Sequence, residues 1–281
     1  MRSSLLLLPT AIFCSACSPA PSVSPGRILT TPVQQNVKLP ALSEASKKKI
    51  GSKIWQNESG RKISGLTAWN VGEEFPSMGI GHFIWYPKGF NGRWTESFPS
   101  FIRYAQQRGR KDIPAWVLKS PDCPWPNRAA FNKNINGAHL TSLRNFLANS
   151  IELQTDFILA KSRTALPKML ASAPKSQHEK INANYSKLAA TTNGAYALID
   201  YVNFKGEGAN PKERYKGQGW GLLQVLQEMR PTAGGQATAK EFSNAAKRVL
   251  DRRITNSPAA RGENRWRAGW HNRCDTYAKP L

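Results

Sequence analysis

Apolar positions along this chain change their period at a few points, and each change marks an element. Ile50, Ile54 and Trp55 recur at helical spacing and Gly60 closes the pattern, so a helix of about four turns is predicted, with the folded part beginning near Ser43. Glu58 falls four residues after Ile54, on the apolar stripe, where a carboxylate faces the core or a cleft wall. Residues 61 to 98 are broken by Gly and Pro, with Phe75, Met78, Ile80, Phe83 and Trp85 scattered among polar positions, which predicts a small β-sheet. A Trp- and Pro-rich stretch containing "PDCPWP" follows at about 85 to 137 and reads as an insertion with a few short helices. Helical periodicity then dominates at about 138 to 171, 177 to 202, 219 to 230 and 238 to 253, with no solenoid repeat. The pattern predicts an α+β protein, mainly α, as one domain over residues 43 to 281.

The amino-terminal residues read differently. Arg2, the apolar run Leu5 to Phe13 and the small residues of Cys14-Ser15-Ala16-Cys17 predict a secretory signal over residues 1 to 17, too short to span a bilayer. Residues 18 to 42, rich in Pro, Ser, Thr and Val, predict an extended, flexible linker. Ser15-Ala16-Cys17 resembles the end of a bacterial lipobox, although Cys14 stands where that motif usually has leucine. The resemblance implies lipidation of Cys17 and a location in the periplasm or anchored in the cell envelope; ordinary cleavage nearby is the alternative. Cys123 and Cys274 then remain as an even pair in an oxidising compartment, and a disulfide between them is expected over two buried thiols. No His/Cys spacing resembles a zinc site, and no cofactor is implied.

Charge narrows the partners. Forty Lys and Arg against 18 Asp and Glu give +22, which draws the chain to polyanions: nucleic acid, anionic lipid or acidic cell-wall glycopeptide. The export signal and the even spread of basic residues argue against nucleic acid.

Cleaving a glycosidic bond needs an acid, and a carboxyl group serves at neutral pH when an apolar setting raises its pKa. Glu58 at the apolar end of a helix, one turn after Trp55, meets that requirement. Ser77-Met78-Gly79-Ile80-Gly81-His82 alternates glycine with apolar residues, allowing a glycan or the Glu58 helix close to the backbone. His82 is placed either to hydrogen-bond the acid or to order the sheet.

Glu58 at the end of a first helix, followed by Ser77-Met78-Gly79-Ile80-Gly81-His82, resembles the phage-type lysozymes, whose catalytic glutamate precedes a Thr-x-Gly-x-Gly-His strand. The segments "AYALIDYVNFKGEG", "WGLLQVLQEM" and "EFSNAAKRVLDRRITNSPAARGENRWRAGW" are similar in order and texture to the helical lobe of those enzymes. The likeness covers residues 46 to 83 and 192 to 277, leaving out the insertion. It implies a lysozyme-like fold, with a small sheet lobe and a helical lobe flanking a cleft, and a monomer that cleaves peptidoglycan glycan strands with Glu58 as general acid. Ser77, Gly79, Gly81 and His82 would line the substrate, with Trp69 and Trp85 as sugar-stacking walls drawn from a surplus that includes Tyr86, Trp94, Trp125 and Trp220. Packing in the core is the other reading for each aromatic.

Gly219-Trp220-Gly221-Leu222-Leu223-Gln224 resembles the Gly-Leu-Met-Gln stretch of soluble lytic transglycosylases. That likeness adds Gln224 to the substrate residues and makes Glu207 a rival acid, although the neighbouring Lys205 would keep Glu207 ionised. Phage-type lysozymes carry an aspartate about six residues before the strand motif; Val71 holds that register here, and Glu73 and Glu74 are the nearby carboxylates. One of them completing the site gives hydrolysis. Without either, Glu58 acts as acid and then base while a substrate hydroxyl closes an anhydro ring, as in lytic transglycosylases. The missing aspartate also keeps a non-catalytic glycan-binding protein in view, whereas the net charge disfavours a chitosan-cleaving one.

Overall fold

A computed structural model describes residues 41–92 and 94–281; the expected signal, Cys17 and nearly all of the linker lie outside them. The first helix, α1 (Glu44–Ser59), starts where Ser43 turns extended and its side chain accepts the Ser46 N–H, and it ends at Gly60 in the left-handed conformation. Ile50, Gly51 and Ile54 are its buried face. Gly51 presses on Thr155, so a Cβ there would collide with the threonine side chain.

Three two-residue strands follow, β1 (Thr67–Ala68), β2 (Ser77–Met78) and β3 (Phe83–Ile84), antiparallel in that order with Thr67 opposite Met78 and Ser77 opposite Ile84. Residues 79 to 82 are the turn between β2 and β3, not strand: Gly79 (φ 75°) and His82 (φ 46°) are left-handed, and the His82 N–H donates to the Gly79 carbonyl at 3.2 Å. Glycine at every second position had mimicked strand alternation, but here positive φ closes a turn.

The expected insertion contains α2 (Phe98–Gln107), α3 (Ala115–Leu118) and α4 (Arg128–Lys133). Its aromatics are core. Trp85 lies 4.7 Å from Phe98, 6.0 Å from Trp116 and 6.5 Å from Trp125, centroid to centroid. Large rings bury more apolar surface than any other side chain, so this stretch ties itself to the sheet.

The periodic stretch 138 to 171 resolves into α5 (Ala138–Ala148), α6 (Ile151–Arg163) and α7 (Ala165–Ser172). Next come α8 (His178–Ala189) and α9 (Thr192–Lys205), whose residues 194 to 202 are all buried. A hairpin of β4 (Arg214–Tyr215) and β5 (Gln218–Gly219) precedes α10 (Leu222–Glu228), α11 (Gly235–Asn256) and α12 (Arg267–Tyr277). The periodicity did not predict α12, because its buried positions, Trp270, Arg273, Cys274 and Tyr277, include a charge. The architecture is mainly helical with a small antiparallel sheet, as the pattern predicted.

The expected disulfide is absent: Cys123 and Cys274 are both free and buried. Cys123 sits between α3 and α4, where its N–H donates to the Tyr86 carbonyl and its thiol to that of Trp125, while Cys274 belongs to α12. Each is built into its own part of the core as a small apolar side chain, and burial pushes both thiols up to about 12.

Candidate functional site

Glu58 closes the last turn of α1, and its side chain is 12% exposed, on the inward stripe where the sequence placed it. Its Oε1 accepts from Arg273 Nη2 at 2.7 Å and from Asn203 Nδ2 at 3.1 Å, and its Oε2 lies 3.3 Å from His82 Nδ1. Asn203 comes from α9 and Arg273 from α12, so three helix segments and one β-turn converge on one carboxylate.

Behind Glu58 stands a second, fully buried carboxylate. Asp200 accepts both prongs of the Arg273 guanidinium at 2.8 Å and the Tyr277 hydroxyl at 2.6 Å. Asp200 and Asn203 are three residues apart on α9, and Arg273 and Tyr277 four apart on α12, so each pair shares a helix face. Asn57 donates to Tyr196 at 2.7 Å, and that hydroxyl shares a hydrogen bond with Thr276. A buried carboxylate is tolerated only when paired and hydrogen-bonded, and Asp200 has both. Its role is to hold Arg273 against Glu58.

Burial alone pushes the Glu58 carboxyl up, but the charges of Arg273, His82 and Lys205 and the Arg273 hydrogen bond outweigh it, leaving the group below the ordinary glutamate value. The expected raised pKa is therefore corrected. The apolar stripe carries Glu58 onto a guanidinium as well as beside Trp55, and a cation in contact favours the charged form.

Glu73 behaves in the opposite way. It lies half-buried between β1 and β2, where Asn70 Nδ2 donates to its carboxylate at 3.1 Å and Trp69 Nε1 to its backbone carbonyl at 2.8 Å. Burial raises its carboxyl, opposed by the Asn70 hydrogen bond and the His82 charge and reinforced by the charge of Glu58; the balance is upward. Of the two carboxylates expected near the sheet, Glu73 is thus the one electrostatically joined to Glu58 and His82, while Glu74 is exposed.

Glu207 is held elsewhere, by Lys168 at 2.9 Å. Lys205, expected to act on Glu207, rests its side-chain nitrogen on the rings of Trp270 (3.6 Å) and Phe204 (3.9 Å); burial and the neighbouring Arg253 and Arg273 hold its pKa well below the usual lysine value, and its influence on Glu58 is smaller than that of Arg273 or His82.

Several expected substrate residues have structural work. A Cβ on Gly81 would lie 2.6 Å from Phe83 and 2.9 Å from Asn203 Oδ1, so its missing side chain lets the turn press on the asparagine that holds Glu58. Gly79 packs on Gln154, whose Oε1 accepts the Ile80 N–H at 2.8 Å. Ser77 is buried in β2. Gln224 closes the start of α10, accepting the Gly221 N–H at 2.9 Å and donating to the Gly208 carbonyl at 3.1 Å, so it is not free to grip a glycan. Trp69 and Trp85 are 5% and 1% exposed and offer no open face, which corrects their reading as subsite walls. Tyr86, Trp125 and Trp220 are buried as well, and Trp94 is half-buried beside Trp220. His82 keeps the expected contact with the acid, and its Nε2 is buried without a hydrogen-bond partner among the described residues.

Sequence reasoning missed Asp200, Asn203, Arg273 and Tyr277. The available signal was the lone acid in the apolar run "AYALIDYV", which calls for charged or hydrogen-bonding partners inside the fold. No family model, curated protein or solved structure matches this chain.

Proposed function

We propose that the protein cleaves peptidoglycan glycan strands within a lysozyme-like fold, with Glu58 giving its proton to the leaving oxygen. The observation that carries this reading is the fixed carboxylate: Oε1 is gripped by Arg273 and Asn203, so Oε2 is presented beside His82 at the edge of the sheet. In the free protein opposing influences hold Glu58 ionised. A glycan laid over the site excludes water, adds to the effect of burial and draws a proton onto Oε2. In this reading Glu73, the half-buried carboxylate that feels the charges of Glu58 and His82, is assigned to the attacking water, and the reaction is a hydrolysis. The excess of cations holds the enzyme against an anionic wall, and export with lipidation of Cys17 belongs to the same reading.

The directions of the two carboxyl shifts favour a second reading with the roles exchanged: Glu73, which burial moves up, is the donor, and Glu58, which Arg273 moves down, is the charged group opposite the developing oxocarbenium ion. Mass analysis of fragments released from purified sacculi tests both. Reducing ends indicate hydrolysis, and anhydro ends indicate attack by the substrate's own hydroxyl. Glu73→Gln abolishes release if Glu73 is the donor and slows only the hydrolytic product if it positions water. Binding of sacculi with no release would leave a glycan-binding protein in place of an enzyme.

A further inference from the structure

On the outer face of α1, away from the Ile50, Ile54 and Glu58 stripe, runs a groove of about 520 Å³. Lys48, Lys49 and Lys53 of α1 line one side, with Arg61 just beyond its end and Lys279 beyond the end of α12. Among the described residues no acidic side chain lines it. Lys48 has a carboxylate 3.6 Å away, that of Glu152, but both side chains are largely exposed and the contact is weak.

Two further observations give the groove a direction. Arg61 holds φ at 60°, the left-handed region that costs a non-glycine residue about 1 kcal/mol, and this sends its guanidinium back along α1 to the Ser52 carbonyl at 3.4 Å. Two residues later Ile63 is 54% exposed; among the described residues only Val71, of the large hydrophobics, is more exposed. Clustered cations with an exposed aliphatic side chain two residues along the chain from one of them are the surface chemistry of a protein that rests on an anionic lipid interface, the cations meeting phosphodiesters and the aliphatic group entering the acyl boundary.

We propose that this groove seats the protein on an anionic phospholipid surface, with headgroup phosphodiesters between Lys49, Lys53, Arg61 and Lys279 and with Ile63 inserted beside them. Lys49 and Lys53 stand on the side of α1 turned away from the buried stripe that carries Glu58.

A chain of this charge binds any anionic surface weakly, so the test must separate place from net charge. The protein would be co-sedimented with phosphatidylcholine vesicles, with and without phosphatidylglycerol, at ~0.15 M ionic strength. The groove variant carries Lys49→Gln, Lys53→Gln, Arg61→Gln and Lys279→Gln; a charge-matched control carries Lys119→Gln, Lys175→Gln, Lys212→Gln and Lys240→Gln, all at exposed positions. The expected result is a loss of about tenfold or more in partitioning for the groove variant and about threefold or less for the control, with Ile63→Ser also weakening binding. Equal losses in the two variants would overturn the proposal. So would an unchanged Ile63→Ser together with loss of soluble polyphosphate binding, which would make the groove a site for a free polyanion. If the fourfold groove variant does not fold, the pair Lys49→Gln and Lys279→Gln, both exposed, is compared with Lys175→Gln and Lys240→Gln by the same criterion.

Discussion

Arg273 serves two carboxylates at once, Glu58 and Asp200. Replacing it with methionine leaves Asp200 buried with no cation, held only by the Tyr277 hydroxyl and a long hydrogen bond from Asn57 at 3.5 Å, and breaking a buried pair from one side costs about 3–5 kcal/mol. Denaturant unfolding of Arg273→Met should show a loss of that size, and the lysine variant should recover only part of it, because lysine lacks the two-pronged fork. The two site carboxyls impose opposite pH dependences. Glu58 lies below its ordinary value, so its stabilisation is present above the unfolded value of about 4.3 and is lost as pH falls through the lowered folded value. Glu73 lies above it, so stability is lost as pH rises from about 4.3 through the raised folded value. Glu73→Gln should therefore be more stable than the unmodified protein at neutral pH, with the difference vanishing in acid. Melting temperatures measured across pH check both signs. Glu58 was legible in the sequence because its partners in the stripe are local. Arg273 was not, since it meets Asp200 across 73 positions of sequence and Glu58 across 215, and no local period encodes such a pairing.

Among the elements, the turn at residues 79 to 82 links the sheet to the site. Gly81→Ala puts a methyl group against Phe83 and Asn203 Oδ1, an overpacking that costs about 1–3 kcal/mol and pushes the asparagine off Glu58. The expected outcome is a drop in sacculus release larger than the drop in stability explains, read by assaying release at a temperature where the variant remains folded. The long helices were legible because apolar residues return every three or four positions. The Gly-x-Gly turn passed for strand because its alternation is a requirement of positive φ and close approach. Helix α12 escaped because its inward face carries a guanidinium, which a search for apolar stripes passes over.

For the whole molecule, the aromatic surplus and the cysteines tell the same story of packing. Residues that suggested sugar-stacking walls bind the expected insertion to the sheet, and the two thiols fill separate parts of the core. A reductant should therefore leave the melting temperature unchanged, whereas a Cys123–Cys274 disulfide would have made it fall by several degrees. The mainly helical class with a small sheet followed from the periods; the merging of residues 85 to 137 into the core did not, because tertiary burial of tryptophan leaves no periodic trace.

In the proposed function Glu58 carries the chemistry and Glu207 does not. The most direct measurement is the rate of soluble fragment release from purified sacculi by the unmodified protein, Glu58→Gln and Glu207→Gln. The expected result is release by the unmodified protein, a fall of about a hundredfold or more for Glu58→Gln and a near-normal rate for Glu207→Gln. Full release by Glu58→Gln, or loss confined to Glu207→Gln, would contradict it.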